Sequence, residues 1–412
     1  MLTTMAWRNL WRNTRRTLIT ASSIAFGLMM AILFTALSDG QWGRAIDDAA
    51  RVGPGHITIQ HHEFQETPSL QRTVDASEAL LAKVRAKPGV LAVEPRIAGQ
   101  AMLATAHDSF SAAFVALDPA RETKDTFTPL SQLVAGALFE ADDDQGVVLG
   151  EKLAENLNVK LGQKVVFTLT DSKGEIVSGL ARVRGLVRTG APSADASLCL
   201  LPLAAVRKLI GYTPTQTTQV AILVEDQRRS QAMADTLSAG LPEGTVALNW
   251  TEVNPDLSSM VNIKVIGGQV LEAFVIMLIA AGIFNTIFMS VMERMREFGI
   301  LMAIGFSPGR LFRLVVLESF WLAVVGLVVG AAITAPLHAY LHAHGIDVSA
   351  QMGSAGGMEL GGVAFNPIIP VGIYPDHAVV IVLLIAGVTL LAGLFPAWRA
   401  SRVQPVEAIK LT

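Results

Sequence analysis

The sequence predicts an α-helical membrane protein with four transmembrane helices plus a large α+β extracytoplasmic domain inserted between the first and second helices. Composition is the first reason: of the 412 residues, 51% are hydrophobic and 16% are charged, whereas soluble domains carry about 25% charged residues. The second reason is that uncharged stretches of at least about 18 residues, the length that a membrane helix needs, occur four times. More than half of the chain lies between the first two stretches.

The four stretches divide the chain into segments. Each span is long enough to cross roughly 30 Å of hydrocarbon at about 1.5 Å per residue. No proline follows Pro255 before the end of the second span, so this helix is predicted to extend outward as a stalk. The predicted segments are an N-terminal arm (1–16), the first span (17–37), the inserted domain (38–264), the second span (265–292), a connector (293–313), the third span (314–337), an outer loop (338–377), the fourth span (378–398) and a tail (399–412).

The flanking charges orient the spans. Lysine and arginine are concentrated in the arm, the connector and the tail, whereas residues 338–377 contain neither. Because positively charged loops stay in the cytoplasm, both termini and the connector are predicted to be cytoplasmic and the inserted domain to lie outside. A cleaved signal peptide is the alternative for the first span, but its apolar run exceeds the roughly 7–15 residues of such a signal.

Apolar periodicity predicts the elements of the inserted domain. Helices are predicted at 75–86, 151–158, 203–210 and 227–239. Strands are predicted at six period-two runs: 56–60, 98–104, 111–117, 164–169, 181–187 and 219–224. Both ends of the domain show a strand–helix–strand pattern. We therefore expect one subdomain built from both ends, with a second, at about 129–211, inserted into it.

We expect no catalytic chemistry from this chain. The sequence has no G-x-x-x-x-G-K-[ST] phosphate loop, since residues 305–310 (GFSPGR) lack the lysine and the spacing. No arrangement of serine, histidine and aspartate, or of cysteine and histidine, indicates a catalytic site. No basic block outside the membrane flanks indicates nucleic-acid binding. The protein is therefore predicted not to be an enzyme, and a second polypeptide must supply the energy.

Histidine and cysteine usage predicts neither a metal site nor a disulfide. Cys199 is the only cysteine, so no intramolecular disulfide is possible. Two groups of histidines have spacings that would place imidazoles close together, at 56–62 and at 338–344. Neither group has a nearby thiol or a clear second shell. We therefore expect no metal.

The connector begins with a segment, 293–305, that reads ERMREFGILMAIG. This segment closely resembles the loop after the second span in the permeases of MacB-type ABC transporters, a family that includes the lipoprotein-releasing (LolC/LolE-like) permeases and FtsX. Residues 395–409 (FPAWRASRVQPVEAI) resemble the C-terminal signature of that family. Residues 150–162 (GEKLAENLNVKLG) are similar to a segment of its outer domain, and the one-plus-three spacing of spans also matches.

The resemblance implies a permease of the bacterial cytoplasmic (inner) membrane. It would pair with a second copy or with a homologous permease and bind two copies of an ABC-type ATPase. ATP and magnesium would be bound by that ATPase, and no cofactor by this chain. The connector would form a coupling helix, and closure of the ATPase would be carried along the stalks to the MacB-like periplasmic domain, a mode called mechanotransmission.

The implied function is the extraction or export of lipoproteins or other amphiphiles, driven by ATP hydrolysis in the partner. Two alternatives remain open: an FtsX-like signalling scaffold that controls a cell-wall hydrolase, and a MacB-like peptide or antibiotic efflux permease joined to an adaptor. Lipoprotein-releasing permeases that recruit a periplasmic carrier resemble one another in a hydrophobic hook. The corresponding hairpin here, 170–175 (TDSKGE), is short and polar, which argues against carrier recruitment by this subunit.

Six residues of the connector are candidate contacts with the ATPase. The two glycines permit close approach or a sharp bend, and the four charged side chains offer charge-assisted hydrogen bonds to a polar protein surface. A solvated juxtamembrane face that only sets topology is the alternative. The candidates are Glu293, Arg294, Arg296, Glu297, Gly299 and Gly305.

Polar residues in the spans are the second set of candidates. Glu272 and Asn285, in the second span, are predicted to line a substrate cavity or the dimer seam, because polar groups inside a membrane usually face protein or water. A carboxylate at the membrane interface is the alternative for Glu272. Glu318, in the third span, is predicted to form an ion pair with Arg310 or Arg313, which are close in sequence.

Overall fold

The structure is a computed structural model that describes residues 2–140, 143, 145–349, 359–360, 363–364 and 367–402. Its helices are α1 (Leu2–Arg12), α2 (Thr14–Val52), α3 (Glu78–Arg85), α4 (Glu151–Asn156), α5 (Pro192–Asp195), α6 (Leu203–Ile210), α7 (Ser230–Ser238), α8 (Trp250–Val253), α9 (Pro255–Glu293), α10 (Met295–Ala303), α11 (Pro308–His344) and α12 (Pro375–Ser401). Its strands are β1 (Ile57–His61), β2 (Val74–Asp75), β3 (Val90–Ala104), β4 (Ser109–Leu117), β5 (Leu133–Gly136), β6 (Gly146–Gly150), β7 (Lys164–Thr170), β8 (Ile176–Val187), β9 (Leu198–Pro202), β10 (Gln216–Thr217), β11 (Gln219–Val224), β12 (Thr245–Asn249), β13 (Ile346–Asp347), β14 (Glu359–Leu360), β15 (Val363–Ala364) and β16 (Ile368–Ile369).

The described residues pack as two units. A helical unit contains the residues up to Gln41, Ile263–Val348 and those from Ile368 on, and a sheet unit contains Trp42–Asn262 with residues from 349–367. Four of the described helices, α2, α9, α11 and α12, are long and apolar enough to cross a membrane. Each of the four predicted spans falls within one of these helices.

Three of these helices, α2, α9 and α11, are much longer than the roughly 20 residues that a bilayer requires. Helix α9 has 39 residues and starts at Pro255, so the second span is extended at its N-terminal end as predicted, and its outward direction stays a prediction. Helix α2 also has 39 residues and continues to Val52, an extension that the sequence did not predict. Gly40 does not end α2: a Cβ there would lie 2.3 Å from the backbone oxygen of Pro370, so the glycine allows close packing. Beyond it, alanines and arginines with high helix propensity continue the helix.

Small residues let the apolar helices of the helical unit approach closely. A Cβ at Gly326 of α11 would lie 2.6 Å from the Cβ of Ile24 in α2, and one at Gly393 of α12 would lie 2.3 Å from Ser319 Oγ in α11. Close backbone approach of this kind is the usual basis of helix association in membranes. The buried core of this unit runs from α1 through α2, α9, α10 and α11 to α12.

The sheet unit is built on one mixed sheet. The strand order is β12-β1-β11-β3-β4-β9-β6-β8-β5, and β7 pairs with both β3 and β8. The pairs β4–β9 and β6–β8 are parallel and the others are antiparallel. One hydrophobic core packs α3 and α7 on β1, β3, β11 and β12, and a second fills the region of β3, β4, β6, β7 and β9.

Every helix and strand predicted for the inserted domain is confirmed, with ends that shift by up to eight residues. Several strands lie outside the six predicted runs. Of these, β6 and β9 are buried along their whole length, so they show no alternation of apolar and polar residues. The 129–211 boundary of an inserted subdomain stays a prediction. Residues 403–412 of the predicted tail and 350–358, 361–362 and 365–366 of the predicted outer loop lie outside the described residues.

Candidate functional site

The connector folds as a short helix between two tight turns. Helix α9 ends at Glu293, Arg294 breaks the helical run, and α10 begins at Met295. After α10 the chain reverses at Gly305, which has φ +100°, a conformation that side-chain-bearing residues rarely adopt. The Gly305 N–H donates to the Met302 oxygen at 3.1 Å. Gly305 therefore ends the short helix, as glycine commonly does.

One side of α10 is buried in the helical unit. Phe298 is fully buried, and it belongs to a core that includes Leu311 and Leu314 of α11. Gly299 is also buried. The structure therefore places Gly299, one of the predicted contact residues, against the helical unit.

The opposite side of α10 is exposed and carries a mixed polar and apolar stripe. Arg296, Ile300, Ala303 and Ile304 lie on it, and the two isoleucines are 44% and 78% exposed. Positions four and eight residues after Arg296 lie on one helical face. We call these four residues the docking face. The isoleucines were missed because they read as part of an apolar run, although their spacing was a usable signal.

Arg294 is bound within the chain. Its guanidinium donates to Glu318 Oε2 at 2.8 Å and to Glu297 Oε2 at 3.3 Å, and it lies 5.1 Å from the centre of the Phe298 ring. The predicted pairing of Glu318 with Arg310 or Arg313 was therefore wrong, although Glu318 does form an ion pair. On a helix, a separation of five residues places Arg313 about 140° away from Glu318.

The N-terminal arm forms an amphipathic helix, α1, that binds the same region. Ala6 and Leu10 are buried one turn apart, and the Trp7 ring packs edge-on against Trp321 at 5.1 Å. Asn9 Nδ2 donates to Glu318 Oε1 at 2.6 Å. The sequence indicated only a charged arm, because eleven residues are too few to establish helical periodicity.

Two further arginines, Arg12 and Arg16, bind carboxylates of α10 and α9. Arg12 donates to both carboxylate oxygens of Glu297, at 2.8 and 3.0 Å, and Arg16 donates to Glu293 at 2.9 Å. We call the ion pairs of Arg12, Arg16 and Arg294 with Glu293, Glu297 and Glu318 the arginine brace, or simply the brace. A polar cleft between these groups is lined by Asn9, Arg12, Asn13, Arg16, Glu293, Arg294 and Glu297.

The electrostatics of the brace favour its charged form. Burial alone would raise the pKa of Glu297, but the hydrogen bonds from Arg12 and Arg294 outweigh it and hold the pKa below its ordinary value. Arg296, by contrast, makes no ion pair with the residues that the structure describes. As contacts with an ATPase, all six connector residues stay predictions. Three of them, Glu293, Arg294 and Glu297, already bind α1, α2 or α11.

The two candidates in α9 do not come together. Glu272 is half-buried, within electrostatic range of Asp39 and His377, whose side chains are 2.8 Å apart. Asn285 is exposed. A separation of thirteen residues places the two side chains about 140° apart around the helix. The Asp39–His377 pair was not found from the sequence, because its members are 338 residues apart.

Of the histidines, His61 and His62 approach Glu63 with ligand atoms within 4.8 Å of one another. Glu63 is engaged by Arg72 at 2.5 Å, and the Glu63 N–H donates to His61 Nδ1 at 3.2 Å. These contacts engage one ring nitrogen of His61 and one carboxylate oxygen of Glu63. In the second group, His342 and His344 bond to backbone oxygens through Nδ1. The expectation of no metal stays a prediction.

Comparison with known proteins gives two family matches. Residues 17–239 match the MacB-like periplasmic core domain, and residues 270–405 match the C-terminal region of FtsX-like permeases. The lipoprotein-releasing system transmembrane protein LolC of Xylella fastidiosa is 23% identical over 94% of this chain and 92% of that protein. The pyoverdine export ATP-binding/permease protein PvdT of Pseudomonas entomophila is 25% identical over 98% of this chain and 58% of that protein.

Solved structures of outer domains also match part of the chain. The periplasmic region of MacB from Actinobacillus actinomycetemcomitans aligns with 47% of this chain and 87% of that structure, at 17% identity and a TM-score of 0.33. The extracellular domain of the transporter YknZ from Gram-positive bacteria aligns with 47% of this chain and 99% of that structure, at 15% identity and the same TM-score.

Proposed function

Because this chain belongs to the family of ABC transporter permeases with a MacB-like periplasmic core domain and an FtsX-like C-terminal region, we propose that it is the membrane subunit of a transporter powered by a separate ATPase. The transporter extracts or exports lipoproteins or other amphiphiles from the cytoplasmic membrane. Similarity to LolC and to PvdT over nearly the whole chain supports this class of cargo. ATP and magnesium are bound by the ATPase.

The docking face of α10 is the observation that carries the proposal. Its exposed isoleucines form a small apolar patch beside Arg296, whose guanidinium makes no ion pair within the described part of the chain, a composition suited to a groove on a soluble protein. The other side of α10 is held by the Phe298 core and by the brace. A helix fixed on one side and exposed on the other can receive a push from a partner and pass it to α1, α9 and α11.

The proposal gives the predicted site residues different roles. Arg296 touches the ATPase together with Ile300 and Ile304. Glu297 and Arg294 keep the orientation of α10, and Gly305 forms the turn into α11. Motion of α10 then reaches α2 and α9, which act as stalks toward the periplasmic domain.

A second permease copy, or a homologous permease, binds along α9. This helix has an exposed apolar stripe in which two glycines and Asn285 are included. Small residues and a single polar side chain are typical of helix–helix seams in membranes. The stripe consists of Gly267, Leu271, Phe274, Leu278, Gly282, Asn285 and Met289.

The test is a substitution of the docking face in the full chain. Arg296→Glu combined with Ile304→Asp changes only exposed side chains, so the helical unit should still fold. We expect ATPase copurification from native membranes to fall at least about tenfold, because a central contact of an interface is worth about 2 kcal/mol or more.

Arg8→Glu is the matched control, since Arg8 is also exposed but lies on α1. It should retain the ATPase. Equal retention by the docking-face variant would show that α10 is not the contact.

The hairpin between β7 and β8 turns at Asp171, which accepts two backbone N–H groups at 2.8 Å. This compact polar turn lacks the hydrophobic hook, which supports a mechanism in which cargo is released without a periplasmic carrier bound to this hairpin.

A further inference from the structure

Both stalks are attached to the sheet unit at one place, which we call the stalk root. It comprises the last turns of α2, the turn at 53–56, the strands β1 and β11, and the segment 249–254 that precedes α9. Gly55 makes the turn possible: its φ is +88°, and a Cβ there would lie 2.7 Å from the Ile222 nitrogen. The chain passes directly from the first stalk into β1, beside the strand that leads to the second stalk.

His56 lies at the centre of the stalk root and is 1% exposed. Its ring Nε2 lies 2.8 Å from Asp47 Oδ1 on α2, and its Nδ1 accepts the Val224 N–H of β11 at 3.2 Å. Because Nδ1 is an acceptor, the ring proton resides on Nε2, and Nε2–H donates to Asp47. The side chain of His56 therefore ties the first stalk to β11.

The backbone of His56 makes two further bonds. Its N–H donates to the Ile222 oxygen at 2.9 Å, and its oxygen accepts the Trp250 N–H at 2.9 Å. Trp250 begins α8, and the Asn254 N–H donates to the Trp250 oxygen immediately before α9. One residue is thus bonded to the first stalk, to the neighbouring strand and to the start of the segment that becomes the second stalk.

The surroundings of His56 are rigid. Ala50 of α2 packs with Ala92 and Leu223 on the sheet. Arg96 of β3 donates to the Gly53 oxygen, and its Nε donates to Glu122 Oε1 at 2.7 Å. The guanidinium also lies 4.7 Å from the centre of the Phe127 ring. Because the Arg96–Glu122 pair is buried and hydrogen-bonded, this side of the junction has little freedom to bend.

We propose that His56 is a positioning residue for force transmission: its side chain locks the first stalk, through Asp47, to β11, and its backbone oxygen binds Trp250 in the segment that leads to the second stalk. A displacement of either stalk then moves the sheet unit as one body. The inference rests on the proposed function, because it assigns a role in coupling and not in binding cargo. It is specific, since it assigns the coupling to one contact, His56 Nε2–H to Asp47.

Two matched pairs of variants separate this contact from general stability. A glutamine side chain places its amide where Nε2 lies, so His56→Gln retains the donor to Asp47. An asparagine places its amide where Nδ1 lies, so His56→Asn retains the Val224 contact and loses Asp47. Asp47→Ala removes the acceptor from an exposed position, and Asp48→Ala is its control, since Asp48 faces Arg44.

The experiment uses the full chain with its ATPase in lipid nanodiscs. Hydrogen exchange of the sheet unit is compared between the nucleotide-free state and the state trapped with ATP and vanadate. We expect His56→Asn and Asp47→Ala to keep ATP hydrolysis within twofold and to lose at least fivefold of the nucleotide-dependent change in exchange. His56→Gln and Asp48→Ala should respond within twofold of the unaltered protein.

A full response in His56→Asn and Asp47→Ala would overturn the inference. Loss of ATP hydrolysis together with the response would also overturn it, because the contact would then be merely structural. If the unaltered protein itself showed no nucleotide-dependent change in the sheet unit, the mechanical function would be wrong, and the role of His56 would fall with it. These outcomes are distinguishable within one set of samples.

Discussion

The stalk root and the arginine brace both hold long helices in place, but they are built differently. Beside the stalk root lies a buried ion pair whose guanidinium also donates to backbone oxygens: the side chains of Arg96 and Glu122 are 3% and 1% exposed. In the brace, ion pairs between side chains lie at a partly solvent-exposed surface, where the Arg12 side chain is 67% exposed. Buried ion pairs are costly to break, whereas exposed pairs contribute little.

The difference matches the work that each region is proposed to do. A coupling helix has to move when its partner closes, so contacts of low energy suit it. A junction that passes motion onward has to keep its geometry, so contacts of high energy suit it. The molecule would thus be adjustable where force enters and stiff where force is delivered.

Breaking the buried pair should have the largest effect. Glu122→Ala leaves the Arg96 guanidinium buried and without its carboxylate, which costs about 3–5 kcal/mol. We expect the free energy of unfolding of the sheet unit to fall by that amount, followed by tryptophan fluorescence during urea unfolding of the full chain in mild detergent. Glu78→Ala is the control, because Glu78 forms only exposed pairs with Arg85 and Arg121. Equal losses for both variants would contradict the comparison.

The next largest effect is a pH dependence of the stability of the sheet unit. Burial raises the pKa of Glu94 from 4.5 to about 7, and the neighbouring Glu122 carboxylate adds to this rise. A raised pKa means that the folded state binds the proton more tightly, so this stabilisation is complete below pH 4.5 and is lost as the pH rises through about 7.

We therefore expect Glu94 to lower the free energy of unfolding by about 2–3 kcal/mol between pH 5 and pH 8. Glu94→Gln, which stays neutral, should flatten that part of the profile. Urea titrations at several pH values measure it. An unchanged slope in the variant would show that Glu94 is ionised in the folded protein.

The smallest effect is expected in the brace. Arg12→Ala removes an exposed bidentate pair, which is worth about 0.2–1 kcal/mol and is weakened by salt. The midpoint temperature of thermal unfolding should therefore fall only slightly at low salt and should not change at high salt. Arg8→Ala is the control. A loss as large as that of Glu122→Ala would remove the distinction between the two regions.

The sequence was most informative about features that depend only on the residues of one segment. Four apolar stretches are sufficient to predict four spans, because length and the absence of charge are properties of the segment itself. The strands of the sheet unit were also predictable where one face is exposed, as in β7, whose residues alternate between exposed and buried. The chemistry of the connector predicted a contact surface, and glycine at position 305 predicted a bend.

The sequence was least informative where the answer depends on distant residues. The partner of Arg294 lies 24 residues away in α11, and that of Arg12 lies 285 residues away in α10. Only the folded chain shows that these charges bind each other. The extension of α2 could not be predicted for another reason. A glycine such as Gly40 usually interrupts a helical pattern, whereas here it lies within the helix and allows close packing.

The central claim is that this chain works as the permease of a separate ATPase, and native mass spectrometry of the complex tests it most directly. The tagged full chain is purified from native membranes in mild detergent, and every copurifying polypeptide is weighed and counted. The account predicts an ABC-type ATPase in two copies with two permease chains. A permease that carries no ATP-binding polypeptide at any detergent strength would contradict the account.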